Sequence, residues 1–186
     1  MILDGSLLFT GTSNGASGGI TSTAYTDAPT TGTQTASNIV DLGVPSGVPS
    51  SASGGGARDI GIGQPGVLKL MAISTVAFTV GTSMQLELDG AADNGAGAPS
   101  GTWTPMWTSP VINEAQMTAG AILANVDVPR VVPGQVLPRF LRLRYITVGT
   151  HTLGQVEAGI VLDQDLHIVG TGGALSGYPA GITVSN

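Results

Sequence analysis

No cysteine occurs in the 186 residues, so disulfides and thiolate metal sites are excluded. Charge is nearly as scarce. Charged residues make up 10% of the chain, against about 25% in ordinary globular proteins. Lys69 is the single lysine, and the formal net charge is −6. Phosphate-mediated nucleic-acid binding needs clustered cations, and only Arg139, Arg142 and Arg144 lie close together in sequence, so no nucleic-acid partner is expected. Aromatic residues amount to 4%. No window approaches the ~20 apolar residues that span a bilayer. The opening Met-Ile-Leu-Asp lacks the basic residues and apolar run of a signal peptide. The reading is a protein with no membrane partner, made in a reducing cytoplasm.

What is present is glycine, 29 residues, and hydrophobic side chains, 41%. A surface with so few charges stays soluble through Ser, Thr, Gln and Asn, or is buried against partners. Residues 10–37 are dominated by Gly, Ser, Thr and Ala. Residues 43–56 read GVPSGVPSSASGGG, where Pro45 and Pro49 cannot donate to a sheet ladder. Both stretches are predicted as loops or extended arms, with a short strand at 38–42 between them.

From residue 57 the pattern becomes that of strands. GVLKLMAI (66–73) is rich in branched apolar residues. SMQLELD (83–89) alternates strictly, which predicts a half-buried strand with Met84, Leu86 and Leu88 inward and Gln85, Glu87 and Asp89 toward water. DGAADNGAGAPSG (89–101) is a turn-rich loop. WTPMWTS (103–109), AILANVDVP (121–129), RFLRLRYIT (139–147) and GQVEAGIVLD (154–163) complete the series, and NEAQMTA (113–119) allows one helical turn. Short strands separated by Gly/Pro turns point to an all-β antiparallel sandwich or jelly roll with extended loops or arms. The organisation read from this is an N-terminal strand or arm at 1–9, loops at 10–56, a sandwich core at 57–165 and a C-terminal extension at 166–186. RFLRLRY and QVEAGIVLD are expected to form a hairpin that sets Glu157 beside Arg142 or Arg144.

Gly61-Ile-Gly63-Gln-Pro-Gly66 matches G-x-G-x-x-G, but a strand follows where a nucleotide site needs a helix. Gly11-Thr-Ser13-Asn-Gly15 matches a nucleophile elbow inside low complexity, where such matches arise by chance. Asp163, Asp165 and His167 would share one strand face and could ligate a metal, but a spacing of two is also what any solvated strand face gives. Asp89, Asp93 and Asn94 could offer oxygens to calcium, but their spacing suits a turn better. His151 and His167 do not assemble a hydrolase site. No cofactor, catalytic residue or metal follows. Trp103 and Trp107 at i and i+4 would share a strand face; one is expected in the core and the other at an interface.

MILDGSLLF at the start, ARDIGIGQPG (57–66) and RFLRLRY with VEAGIVLD (139–163) resemble, in order and spacing, the capsid cement (decoration) proteins of tailed bacteriophages. The resemblance covers residues 1–9, 38–42 and 57–165. It implies a jelly-roll-like antiparallel β-sandwich, a virion structural protein on the outer surface of an icosahedral capsid, with the major capsid protein as partner and a homodimer, or a trimer, as the associating unit. The contact residues it suggests are Met1, Ile2, Leu3, Leu7, Phe9, Trp103, Trp107, Arg142, Arg144 and Tyr178. Removal of residues 1–9 is then expected to weaken capsid binding and leave the domain folded. A glycan- or receptor-binding sandwich of a tail fibre or bacterial surface is the alternative, and it would need an exposed cluster of aromatics and carboxylates.

Overall fold

A computed structural model describes residues 7–11, 13–14, 19–20, 26–43, 68–129, 138–162, 168–169 and 174–175. Two short pairs flank the domain: β1 (Ser13–Asn14) with β2 (Gly19–Ile20), and β11 (Ile168–Val169) with β12 (Ala174–Leu175). The domain itself is built from β3 (Gly32–Asp41), β4 (Leu68–Thr79), β5 (Ser83–Ala91), β6 (Thr104–Thr108), β7 (Ile112–Asn113), β8 (Ile122–Asp127), β9 (Phe140–Val148) and β10 (Leu153–Leu162). A 3-10 turn at Glu114–Gln116 meets the helical turn expected there.

These strands make two antiparallel sheets. The larger runs β3-β9-β5-β6, with β7 also on β5, and the smaller runs β10-β4-β8. The chain changes sheet at β3–β4, β4–β5, β7–β8, β8–β9 and β9–β10, the alternation of a jelly-roll-like sandwich. The core is the space between the sheets. Met84, Leu86, Leu88, Leu141, Leu143 and Tyr145 from the larger sheet meet Leu68, Leu70, Ala72, Val156, Ala158 and Ile160 from the smaller. The period-2 patterns of β5, β9 and β10 therefore mark the inward faces correctly.

Three expectations about placement are corrected. Residues 32–37, read as loop, belong to β3, because their backbone pairs with β9 from Gly32↔Thr147 to Thr35↔Arg144 despite a sequence poor in apolar residues. The strand read at 38–42 is only the end of that element. β9 and β10 are not a hairpin: β9 pairs with β3 and β5, β10 pairs with β4, and residues 149–152 carry the chain across the sandwich. Glu157 consequently lies on the outer face of the smaller sheet beside Leu8, Met71 and Ile73, far in the topology from Arg142 and Arg144.

The N-terminal segment also differs from its expected placement. It was expected to be a strand or arm lying at a partner contact, and its described residues, 7–11, form a strap built into the domain. Phe9 N–H donates to Ala158 O of β10 (2.9 Å), and Asn38 N–H of β3 donates to Phe9 O (2.8 Å), so residues 8–10 join the two sheets along their common edge. Thr10 Oγ1 accepts from Ala158 N–H (2.9 Å), and Asn38 Nδ2 donates to Thr10 O (3.2 Å). Phe9 is fully buried in the core, Leu7 packs against it, and Leu8 covers the other side of β10 over Gly159. Alongside, Asp27 bridges to Val156 and accepts from Ser37 N–H (3.0 Å), Ser37 Oγ and the buried Tyr145 hydroxyl (3.0 Å). Burial and the adjacent Asp27 charge hold the Tyr145 phenol well above its ordinary value.

Two close approaches fix the end of the sandwich where β4 meets β10. A Cβ on Gly81 would lie 2.0 Å from the His151 ring, and His151, buried edge-on to Phe78, fills that space. Gly154 has φ 131°, and a Cβ there would fall 2.3 Å from Phe78. Gly154→Ala combines backbone strain with overpacking and is expected to cost about 2–3 kcal/mol of stability, read as a lower urea midpoint at unchanged m. Val80, between β4 and β5, has φ 74°. A β-branched residue adopts this left-handed conformation at a cost of about 1–2 kcal/mol.

Candidate contact face

The outer face of the larger sheet carries the most organised polar chemistry among the described residues. Register places Glu87 opposite Arg144 and Asp89 opposite Arg142 on β5 and β9. Arg142 Nε bonds Asp89 Oδ2 at 2.8 Å, Arg144 Nη2 bonds Glu87 Oε1, and Arg144 Nε approaches Asp89 Oδ2 to 2.9 Å as an ion pair without hydrogen-bond alignment. The polar face of β5 was expected to meet water. Instead Glu87 and Asp89 are buried, because two long guanidinium side chains lie across them. Asp89 Oδ1 has no hydrogen-bonding partner among the described residues.

The two carboxyl groups respond in opposite directions. Burial pushes Asp89 up, and the Arg142 hydrogen bond offsets this only in part, so its net shift is upward. Burial also pushes Glu87 up, but hydrogen bonds from Arg144 and Thr108 together with the Arg144 charge outweigh it, and its net shift is downward.

At the rim Arg139 makes a bidentate pair with Asp41 (2.9 and 3.0 Å), a further bond to Asp93, and lies over the Phe140 ring at 4.9 Å. Asp93 is held in turn by Gly95 and Gly97 N–H groups (2.8 and 3.0 Å), while Asn94 Oδ1 accepts from Ala96 N–H at 2.8 Å. These nested turns account for the acidic residues of the 89–101 loop. Among the described residues no three His, Asp or Glu side chains are grouped to hold a metal.

The tryptophans do not share a face. The β5–β6 register slips between Leu88↔Trp107 and Asp89↔Pro105, so Trp107 packs toward the core, whereas Trp103 stacks on Arg142 at 4.3 Å on the outer face. A bulge reverses the side of everything beyond it. Ile39, opposite Arg142 on β3, adds an exposed apolar side chain at 47%.

Of the residues singled out in the sequence, Arg142, Arg144 and Trp103 come together on this face. Trp107, Leu7 and Phe9 belong to the core or pack on it, and Phe9 cannot meet a partner because none of its surface is exposed. Met1, Ile2, Leu3 and Tyr178 lie outside the described residues, as do Gly61–Gly66 and Asp163, Asp165 and His167. Ser13 sits in the two-residue strand β1. His151 is a packing residue, with neither ring nitrogen bonded to a partner among the described residues. Sequence reasoning passed over Asp89, Glu87 and Ile39 as components of the face. The signal for the first two was their period-2 match to Arg142 and Arg144. Lys69 pairs with Asp127 at 3.7 Å, so every described Lys or Arg has a carboxylate of its own chain within reach.

Fold and face together define an all-β antiparallel sandwich protein with one internally neutralised sheet face. The sequence profile of the Bbp16 family matches residues 24–160, from the segment preceding β3 through almost all of β10, and the chain belongs to that family, whose name points to a phage protein. No curated protein matches the chain.

Proposed function

We propose that this chain is a structural virion protein that binds the outer surface of an icosahedral phage capsid and stabilises it by clamping neighbouring major capsid subunits. Membership of the Bbp16 family, matched over residues 24–160, is the observation that carries the reading. The face of the larger sheet supports it. Trp and Arg are the side chains that dominate protein interfaces, and here Trp103 and Arg142 are held in place before any partner arrives, so little rotamer freedom is lost on docking. Because its arginines are already neutralised, the face suits a protein surface better than a polyanion. Self-association as a dimer or trimer lets one assembly touch several subunits and gain avidity. The glycan-binding alternative calls for free carboxylates beside an exposed aromatic, and Glu87 and Asp89 are committed to arginines.

The test is co-sedimentation of the purified protein with matching capsids that lack it, followed by heating of the shells. Saturable binding and a higher rupture temperature are the expected results. A folded protein that stays in the supernatant would overturn the proposal and direct attention to saccharide binding.

A further inference from the structure

One end of the sandwich carries a surface that the sheet face does not explain. The loops 79–83, 109–113 and 148–153 read TVGTS, SPVIN and VGTHTL, and His151, which is buried, is their only ionisable side chain. They expose four aliphatic residues: Val80 at 75%, Leu153 at 62%, Val111 and Val148 at 56% each. Hydrogen bonding and register place them together. Thr82 N–H donates to Val148 O (2.9 Å), Thr152 N–H donates to Thr79 O (3.1 Å), Leu153 pairs with Thr79, and Ser83 pairs with both Val148 and Asn113. The Thr79 and Thr152 hydroxyls bond each other at 3.0 Å, tying the β4–β5 connection to the β9–β10 connection. Glu114, whose N–H donates to Thr82 O (3.0 Å), stands at the margin.

Val80 is the informative member. It is the one non-glycine residue with positive φ among the described residues, it is β-branched, and it is the most exposed of the large hydrophobic side chains. Asn or Gly would adopt this backbone more easily and would leave a more soluble surface. Strain accepted in order to display an aliphatic group points from the outlier to a binding role.

We infer that this uncharged tip, centred on Val80 and Leu153, is a docking surface for an apolar patch on a capsid subunit, an inference that rests on the capsid-binding reading above. The four side chains expose on the order of 400 Å², about half the ~800 Å² that each partner contributes to a stable two-body interface. These four side chains alone therefore do not make a stable two-body interface, and they fit one contact among several on a multi-subunit lattice.

The experiment compares wild type, Val80→Asn, Leu153→Asn and, as a control in the 92–101 loop, Ala96→Ser, in sedimentation with matching capsids and in thermal denaturation. Val80→Asn is expected to keep or raise the melting temperature of the free protein while binding shells at least tenfold more weakly. Leu153→Asn is expected to weaken binding with an unchanged fold, and Ala96→Ser to behave as wild type. Equal shell affinity of both tip variants and a wild type that does bind would overturn the tip assignment and leave the capsid-binding reading intact. Failure of wild type itself to bind would overturn that reading and this inference with it.

Discussion

Phe9→Ala is expected to be the most damaging single truncation in the N-terminal region, lowering stability by about 3–5 kcal/mol, the range for a fully buried phenylalanine. The transfer term alone is about 1.5–3 kcal/mol. The rest arises because the strap is held by both sheets, so the cavity cannot close by moving one of them. For a domain of this size such a loss is a large share of a total of about 5–15 kcal/mol. Deletion of residues 1–11 removes Leu8 and Phe9 together, exposes Ala158 and Asn38 backbone groups, and should prevent cooperative unfolding altogether. Urea denaturation followed by circular dichroism checks both. A variant with the wild-type midpoint would show that the strap is an ornament on a self-sufficient sandwich. The burial of Leu8 and Phe9 thus sets against the expectation that residues 1–9 can be removed from a folded domain the expectation that the strap is needed for folding.

Asp89→Ala is expected to cost about 3 kcal/mol at pH 7. The raised pKa of Asp89 shows that its own charge is poorly compensated by the fold. Its contribution is instead to neutralise Arg142 and Arg144, whose side chains keep only 20% and 26% of their surface exposed. Removing the carboxylate leaves both guanidiniums short of a partner in a low-dielectric layer, which costs more than the pair gains. The double change Asp89→Leu with Arg142→Leu should therefore be closer to wild type than Asp89→Ala, since it removes a buried pair rather than half of one. A double variant worse than the sum of the singles would sink this account.

The pH dependence gives a second readout. The depressed Glu87 contributes stability that is present above its unfolded value near 4.5 and is lost as pH falls through its lower folded value. Asp89 has the opposite sign: the fold prefers its protonated form, so stability rises as pH falls through its raised folded value toward 3.8. In wild type the two partly cancel. In Asp89→Ala only the Glu87 loss remains among this pair, and stability should fall more steeply on acidification than in wild type, measurable as the urea midpoint against pH.

Strand identity was legible because it is a local property. Leu86 and Leu88, Leu141 and Leu143, or Ala158 and Ile160 repeat every second residue, and the pleat sends alternate side chains to one face whatever the neighbour is. The same alternation placed Arg142, Arg144, Glu87 and Asp89 on outward faces. It carried no information about which strand lies beside which. RFLRLRY and QVEAGIVLD are adjacent in sequence and have complementary charges, yet the connection through Gly149 crosses the sandwich, and Arg142 and Arg144 find Asp89 and Glu87 instead. β3 was half hidden because Thr33, Gln34 and Thr35 earn their place through backbone pairing at a sheet edge rather than through apolar side chains.

By itself, then, the sequence determined an all-β chain, most of its strand series from Leu68 to Leu162, the inward faces of β5, β9 and β10, and the absence of any cysteine chemistry. Those follow from composition and from a two-residue period. Only the tertiary structure decided that Phe9 is core, that Trp103 and Trp107 lie on opposite faces across a bulge, that two buried carboxylates neutralise the arginines, and that a strained Val80 crowns an apolar tip. Each of these depends on contacts between residues distant in the chain, and long-range pairing is fixed by the joint packing of both sheets, which no local pattern encodes.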